Sequence, residues 1–187
     1  MTPMLPPDRE LTSDDLLVLD LQGNKIQGEM RPRSEKILHT GIYKCRADVG
    51  AVVHAHPPAA TALSIAGLTV ETVWNQAILF GGPVPRFHGV QLVYTDSEAA
   101  ELAGALGDGR AVLMPGHGAT TVGASVAEAC IAMVYLEKTA ALQLSIAHLG
   151  PPALVDKRYF PRGIENLLRV EIPLAWEHYR RIVTSGV

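Results

Sequence analysis

Ala51-Val52-Val53-His54-Ala55-His56-Pro57 is the stretch whose reading decides the fold. Its β-branched run predicts a strand over 51–56, ended by the proline. Successive side chains of a strand point to opposite faces, so His54 and His56 fall on the same side. Two imidazoles on one rigid strand end form half of a three-ligand metal site. Met114-Pro115-Gly116-His117-Gly118 offers a third, because His117 stands in a glycine-flanked turn after the apolar run Ala111-Val112-Leu113. Three neutral imidazoles with one open position suit a catalytic rather than a structural zinc-type site. A strand can also carry two half-buried histidines bonded only to backbone groups, and the spacing alone leaves both readings open.

Working outward, Ser34 is a good N-cap for a helix running to about residue 46, with Ile37, Leu38, Ile42 and Cys45 as its apolar stripe. Glu35 and His39, four residues apart, share a different face of that helix. Before it, 16–21 reads as a strand ending in the turn Gln22-Gly23-Asn24. After the histidine strand, a helix over 57–66 starts at proline and ends at Gly67. Residues 69–95 read as short strands and loops, and Asp96 or Ser97 caps a helix ending at Gly107. Strands over 111–114 and 119–122 follow, joined by the Pro-Gly-His-Gly turn. The longest helix, 125–149, carries Met133 and Tyr135 as core residues and stops at Gly150-Pro151-Pro152. The C-terminal part, 161–187, is helical and broken near Pro173. Short strands between helices make the chain an α/β sandwich.

With 187 residues and 48% hydrophobic content, the chain is expected to form one globular domain over 1–187. A net charge of −3 offers no electrostatic footprint for nucleic acid. The apolar stretches read as too short and too often interrupted by charge for a transmembrane helix, so no membrane partner is expected. Residues 1–7 lack the charged and apolar regions of a signal peptide. Cys45 and Cys130 read as reduced core residues of a cytoplasmic protein.

Three stretches together resemble the class II aldolase/adducin family. They are Ser34-Glu35-Lys36-Ile37-Leu38-His39, Asp48-Val49-Gly50-Ala51-Val52-Val53-His54-Ala55-His56-Pro57, and Gly116-His117-Gly118 with Gly123 after it. The separations, nineteen residues from Glu35 to His54 and sixty-one from His56 to His117, fit as well. The resemblance implies a three-layer α/β/α sandwich with a central, mostly antiparallel sheet, assembled as a homotetramer. It implies that His54, His56 and His117 hold one divalent metal ion per chain, zinc first, with manganese, iron, cobalt or magnesium as alternatives. Glu35 would be the acid/base group beside it. Breaking a C–C bond next to a carbonyl leaves an enolate, whose developing charge a Lewis acid stabilises. A nearby carboxylate can then move the proton.

Two departures bear on substrate. Family aldolases acting on sugar phosphates carry a Gly-Asn-x-Ser segment upstream of the first strand, which this chain, read from Met1, begins too late to contain. They also carry two hydroxyl residues before the glutamate, where this chain has Arg33 and then Ser34. Arg33 is suited to clamp a carboxylate through its planar fork, with an ordinary loop arginine as the bland alternative. The Arg-x-Glu pattern and Ala175-Trp176-Glu177-His178-Tyr179 resemble the branch that decarboxylates hydroxy-aromatic or pyridine carboxylic acids. The expected substrate is therefore a small carboxylate or hydroxy-carbonyl compound. Arg33 and Ser34, with Trp74 and Asn75 in a loop, are the substrate-contact candidates. His39 reads as structural, His88 as a loop residue, and His148 and His178 as helix-surface residues. Tyr159, Arg162 and Trp176 suit either a neighbouring subunit's site or packing between subunits. Four functions compete: decarboxylase, class II aldolase, iron oxygenase or dehydratase on the same scaffold, and a non-catalytic adducin-like interaction domain.

Overall fold

The strand that carries the histidines is Ala51–Ala55 (β3), and it pairs antiparallel with Gly118–Gly123 (β5), which pairs antiparallel with Ala111–Met114 (β4). The three strands form one sheet in the order β3-β5-β4. A single parallel bridge joins Arg86 to Leu113 along β4, so the sheet is mostly antiparallel. The computed structural model describes residues 1–3, 11–89 and 92–185. Residues 90–91, within the expected strands and loops of 69–95, and the last two residues of the expected C-terminal helix lie outside them.

Strand alternation sorts the sheet into two faces. Val52, Val112, Met114 and Val122 pack toward Leu38 and Ile42 of helix Lys36–Cys45 (α1) and Leu102 and Leu106 of helix Asp96–Leu106 (α3). Val53, Ala55, Ala111, Leu113 and Ala119 face the other way. They pack against Ala60 and Leu63 of helix Pro58–Ile65 (α2) and Met133, Leu136 and Ala140 of helix Val126–Ile146 (α4). Helices thus cover both faces, and the three-layer sandwich follows. The far side of α4 is covered in turn by a 3-10 turn at Asn75–Phe80 and by the C-terminal helices, with Ile78, Ile131, Tyr135, Phe160 and Leu167 between them.

Several local expectations shift. The strand over 16–21 contracts to Val18–Leu19 (β1), which forms a two-stranded ladder with Lys25–Gln27 (β2). The backbone at Leu17 pairs instead with Met1: the terminal amine donates to the Leu17 carbonyl at 2.8 Å, and the Leu17 N–H donates back at 2.9 Å. The α1 N-cap is Glu35, one residue later than the Ser34 expected, and it makes no side-chain capping bond. Cys45 closes α1 as an exposed thiol rather than a core residue, while Cys130 is partly buried and both are free.

Pro173 does not break the C-terminal helix. Helix Phe160–Asn166 (α5) widens into a π turn at Leu167–Glu171, then continues as Ile172–Ser185 (α6). At the junction the Ile172 N–H reaches back to the Leu167 carbonyl, five residues away. The wider turn admits a ring that would otherwise collide with the carbonyl four residues before it.

The apolar run at 126–149 also exceeds the sequence expectation. It forms the one segment among the described residues long and apolar enough, by length and composition, to cross a membrane. Here it is the core helix of the sandwich, with Ala129, Leu136 and Ala140 fully enclosed by protein.

Candidate metal centre

β3 delivers His54 on the α1/α3 face of the sheet, the face of Val52, and the chain leaves the strand at Ala55 just before His56. Pro57 and Pro58 then turn it into α2, whose first free amides are capped from across the fold. Glu137 of α4 accepts the Ala59 N–H at 2.9 and 3.0 Å with its two oxygens, and the Ala60 N–H at 3.0 Å.

His117 comes from the β4–β5 turn. Its N–H closes that turn on the Met114 carbonyl at 3.0 Å, and Gly116 takes the left-handed φ of 75° that a side chain would resist. Gly118 is required for a different reason. A Cβ there would collide with the Ala55 carbonyl and lie 2.9 Å from Cδ2 of His56. The glycine lets β5 approach close enough to set the third imidazole beside the first two.

The three rings meet with centroids 5.3 Å (His54–His56), 4.7 Å (His54–His117) and 4.9 Å (His56–His117) apart. Glu35 completes the group from the N-terminus of α1. As N-cap it spends no side-chain bond on its own helix, and its Oε1 stands 3.2 Å from Nε2 of His54 and 3.0 Å from Nε2 of His117. One ligand atom from each of Glu35, His54, His56 and His117 falls within 4.8 Å of the others.

The setting is partly dry. The His54 side chain is 5% exposed, His117 11% and Glu35 20%. Burial, partly offset by Glu35, pushes the His54 imidazolium down to about 4, and burial does the same to His39. Both rings are therefore neutral at neutral pH, the form a metal requires. Nε2 of His54 and Nδ1 of His117 are buried without a hydrogen-bond partner. An unpaired nitrogen in a protein interior is costly, and a cation bound among the four donors would satisfy Nε2 of His54, the nitrogen beside Glu35. Borderline-soft imidazole with one carboxylate suits a divalent first-row metal.

A cavity of about 410 Å³ opens on the group, bounded by Arg33, Glu35, His39, His54 and His56, with Met1 and Thr2. Arg33 therefore shares the cavity of the histidines, and its exposed guanidinium has no ion pair among the described residues. The other substrate-contact candidates are not brought to this cavity. Ser34 and Asn75 are exposed, and the Trp74 indole donates to Thr139 of α4 at 2.6 Å. His88, His148 and His178 are exposed, and Trp176 packs in the α4–α6 core. Sequence pattern alone singles out neither Thr120 nor Glu137 as part of the site. An acidic residue inside an apolar helix was the available signal for Glu137, whereas nothing local marked Thr120.

Three histidines and a glutamate thus meet at the edge strand of this three-layer sandwich. The description "Class II Aldolase and Adducin N-terminal domain" matches residues 1–144, and the chain belongs to that family. The chain is similar to a 3,4-dihydroxyphthalate decarboxylase of Arthrobacter keyseri, 33% identical over 158 residues, covering 78% of this chain and 64% of the relative. It is also similar to a 5-deoxy-D-ribulose 1-phosphate aldolase of Bacillus thuringiensis serovar kurstaki, 30% identical over 148 residues, covering 79% and 69%. Among solved structures, an L-fuculose 1-phosphate aldolase superposes with a TM-score of 0.79 at 26% identity, covering 89% of this chain and 78% of that one. The chain thus spans less than two thirds of the decarboxylase's own length.

Proposed function

We propose that this chain carries the metal-binding core of a carbon–carbon lyase that decarboxylates a hydroxy-aromatic or related carboxylic acid. The observation that carries the reading is the common cavity: Arg33 lines the same cavity as Glu35, His54 and His56. In this reading His54, His56 and His117 hold a divalent ion. When bound, that ion supplies a Lewis acid for the charge left by the departing carbon. The Arg33 guanidinium binds the substrate carboxylate and fixes its orientation. As the bond to that carboxylate breaks, CO2 leaves and the electron pair stays on the ring carbon. Glu35 in its acid form then delivers a proton to that carbon, and a solvent proton restores it.

The similarity to the dihydroxyphthalate decarboxylase supports the carboxylate reading. The similarities to ribulose-phosphate and fuculose-phosphate aldolases support a second reading, retro-aldol cleavage of a hydroxy-carbonyl compound by the same groups. The test is a substrate panel on protein reconstituted with zinc, manganese or iron. Release of CO2 from 3,4-dihydroxyphthalate, abolished in His54→Ala and Glu35→Gln, is the expected result. Aldehyde release from a phosphorylated ketose, with no CO2 from any aromatic acid, would replace it with the aldolase reading.

A further inference from the structure

We infer that Thr120 is the positioning residue that prepares His54 for metal, an inference that rests on the reading of His54, His56 and His117 as ligands. Thr120 lies directly across the β3–β5 ladder from His54 and is completely enclosed by protein. Its Oγ1 stands 3.1 Å from Nδ1 of His54. Oγ1 also lies 3.6 Å from Sδ of Met114, a second acceptor within reach of its one hydrogen. With that hydrogen given to the sulfur, the lone pairs of Oγ1 face the imidazole, and in this arrangement Nδ1 donates and Oγ1 accepts.

A neutral imidazole carries a single N–H. With that proton held on Nδ1 by Thr120, the Nε2 lone pair is free, and Nε2 is the buried nitrogen without a hydrogen-bond partner beside Glu35. The hydroxyl thus fixes both the tautomer and the ring orientation that a metal needs, as groups behind metal-bound histidines commonly do. The neighbouring Thr121 shows that this role is not generic to the strand. Its hydroxyl points to the opposite face and donates to the Ala129 carbonyl of α4 at 2.8 Å. Valine at 120 would keep the β-branched shape, remove the acceptor, and let the proton move to Nε2, where it blocks the ligand atom.

The experiment is zinc titration of the metal-free chain as wild type, Thr120→Val, Thr120→Ser and Thr121→Val, with thermal unfolding of each. The expected result is zinc affinity weakened roughly 10- to 100-fold in Thr120→Val. Thr120→Ser, which keeps the hydroxyl, stays near wild type, and Thr121→Val loses stability without losing affinity. Cobalt in place of zinc gives a visible spectrum that changes in Thr120→Val alone. Equal affinity in wild type and Thr120→Val overturns the inference, as does equal weakening in the valine and serine variants, which would make the effect one of packing. Absence of zinc binding in the wild type overturns the ligand reading itself, separately from any role of Thr120.

Discussion

Glu35 occupies the position from which a capping side chain ordinarily turns back onto its own helix, and instead reaches across to His54 and His117. Gly118 is the counterpart on the other side of the group. Gly118→Ala would press a methyl into the Ala55 carbonyl and the His56 ring. Overpacking of this kind typically costs about 1–3 kcal/mol. The expected outcome is a folded variant with lower thermal stability and zinc affinity weakened at least tenfold, checked by calorimetric titration. At this scale the histidines were legible because strand alternation and a glycine turn are local patterns. Glu35 became legible only through the wider resemblance. Thr120 was not legible, since its role depends on which residue of a distant strand pairs with His54. The Ser34 cap failed for a related reason: Ser34 satisfies the local preference, but the helix begins one residue later, where Glu35 can face the sheet.

The link between α2 and α4 is the clearest device at the level of elements. Glu137 gives both oxygens to the amides that open α2, immediately after His56-Pro57-Pro58. Glu137→Gln removes the charge and turns an NH2 group toward those amides. The expected loss is about 1.5–3 kcal/mol, the usual worth of hydrogen bonds to a charged group. Urea denaturation measures it, and faster hydrogen exchange at Ala59 and Ala60 would place it. Helices α1 to α4 were readable from periodicity, caps and glycine stops, to within one or two residues at most ends. The short β1 was not, because the run Leu16-Leu17-Val18-Leu19 looks like a full strand, while Leu17 finds its partner in Met1. Pro173 reads locally as a helix breaker, whereas the widened turn at Leu167–Glu171 carries the helix through it.

In the whole molecule, the four donors come from the start of α1, the end of β3 and the β4–β5 turn, spread over eighty-two residues from Glu35 to His117. The layered fold was legible as an alternation of helices and short strands, but the meeting of three remote segments depends on sheet order, which no local pattern carries. A metal bound there stabilises the folded chain alone. At a free zinc concentration one hundred times the dissociation constant the gain is about 2.7 kcal/mol. For a chain of this size that raises Tm by roughly 5–10 °C, and His54→Ala should show no such rise in a thermal scan. The same dispersal of donors has a kinetic consequence. No short segment of nascent chain holds more than two of the four, so metal cannot seed the first structure and must enter after the sheet has closed. Zinc should therefore leave the refolding rate unchanged and slow unfolding by about a hundredfold, the whole of its stabilisation appearing on one limb of the chevron.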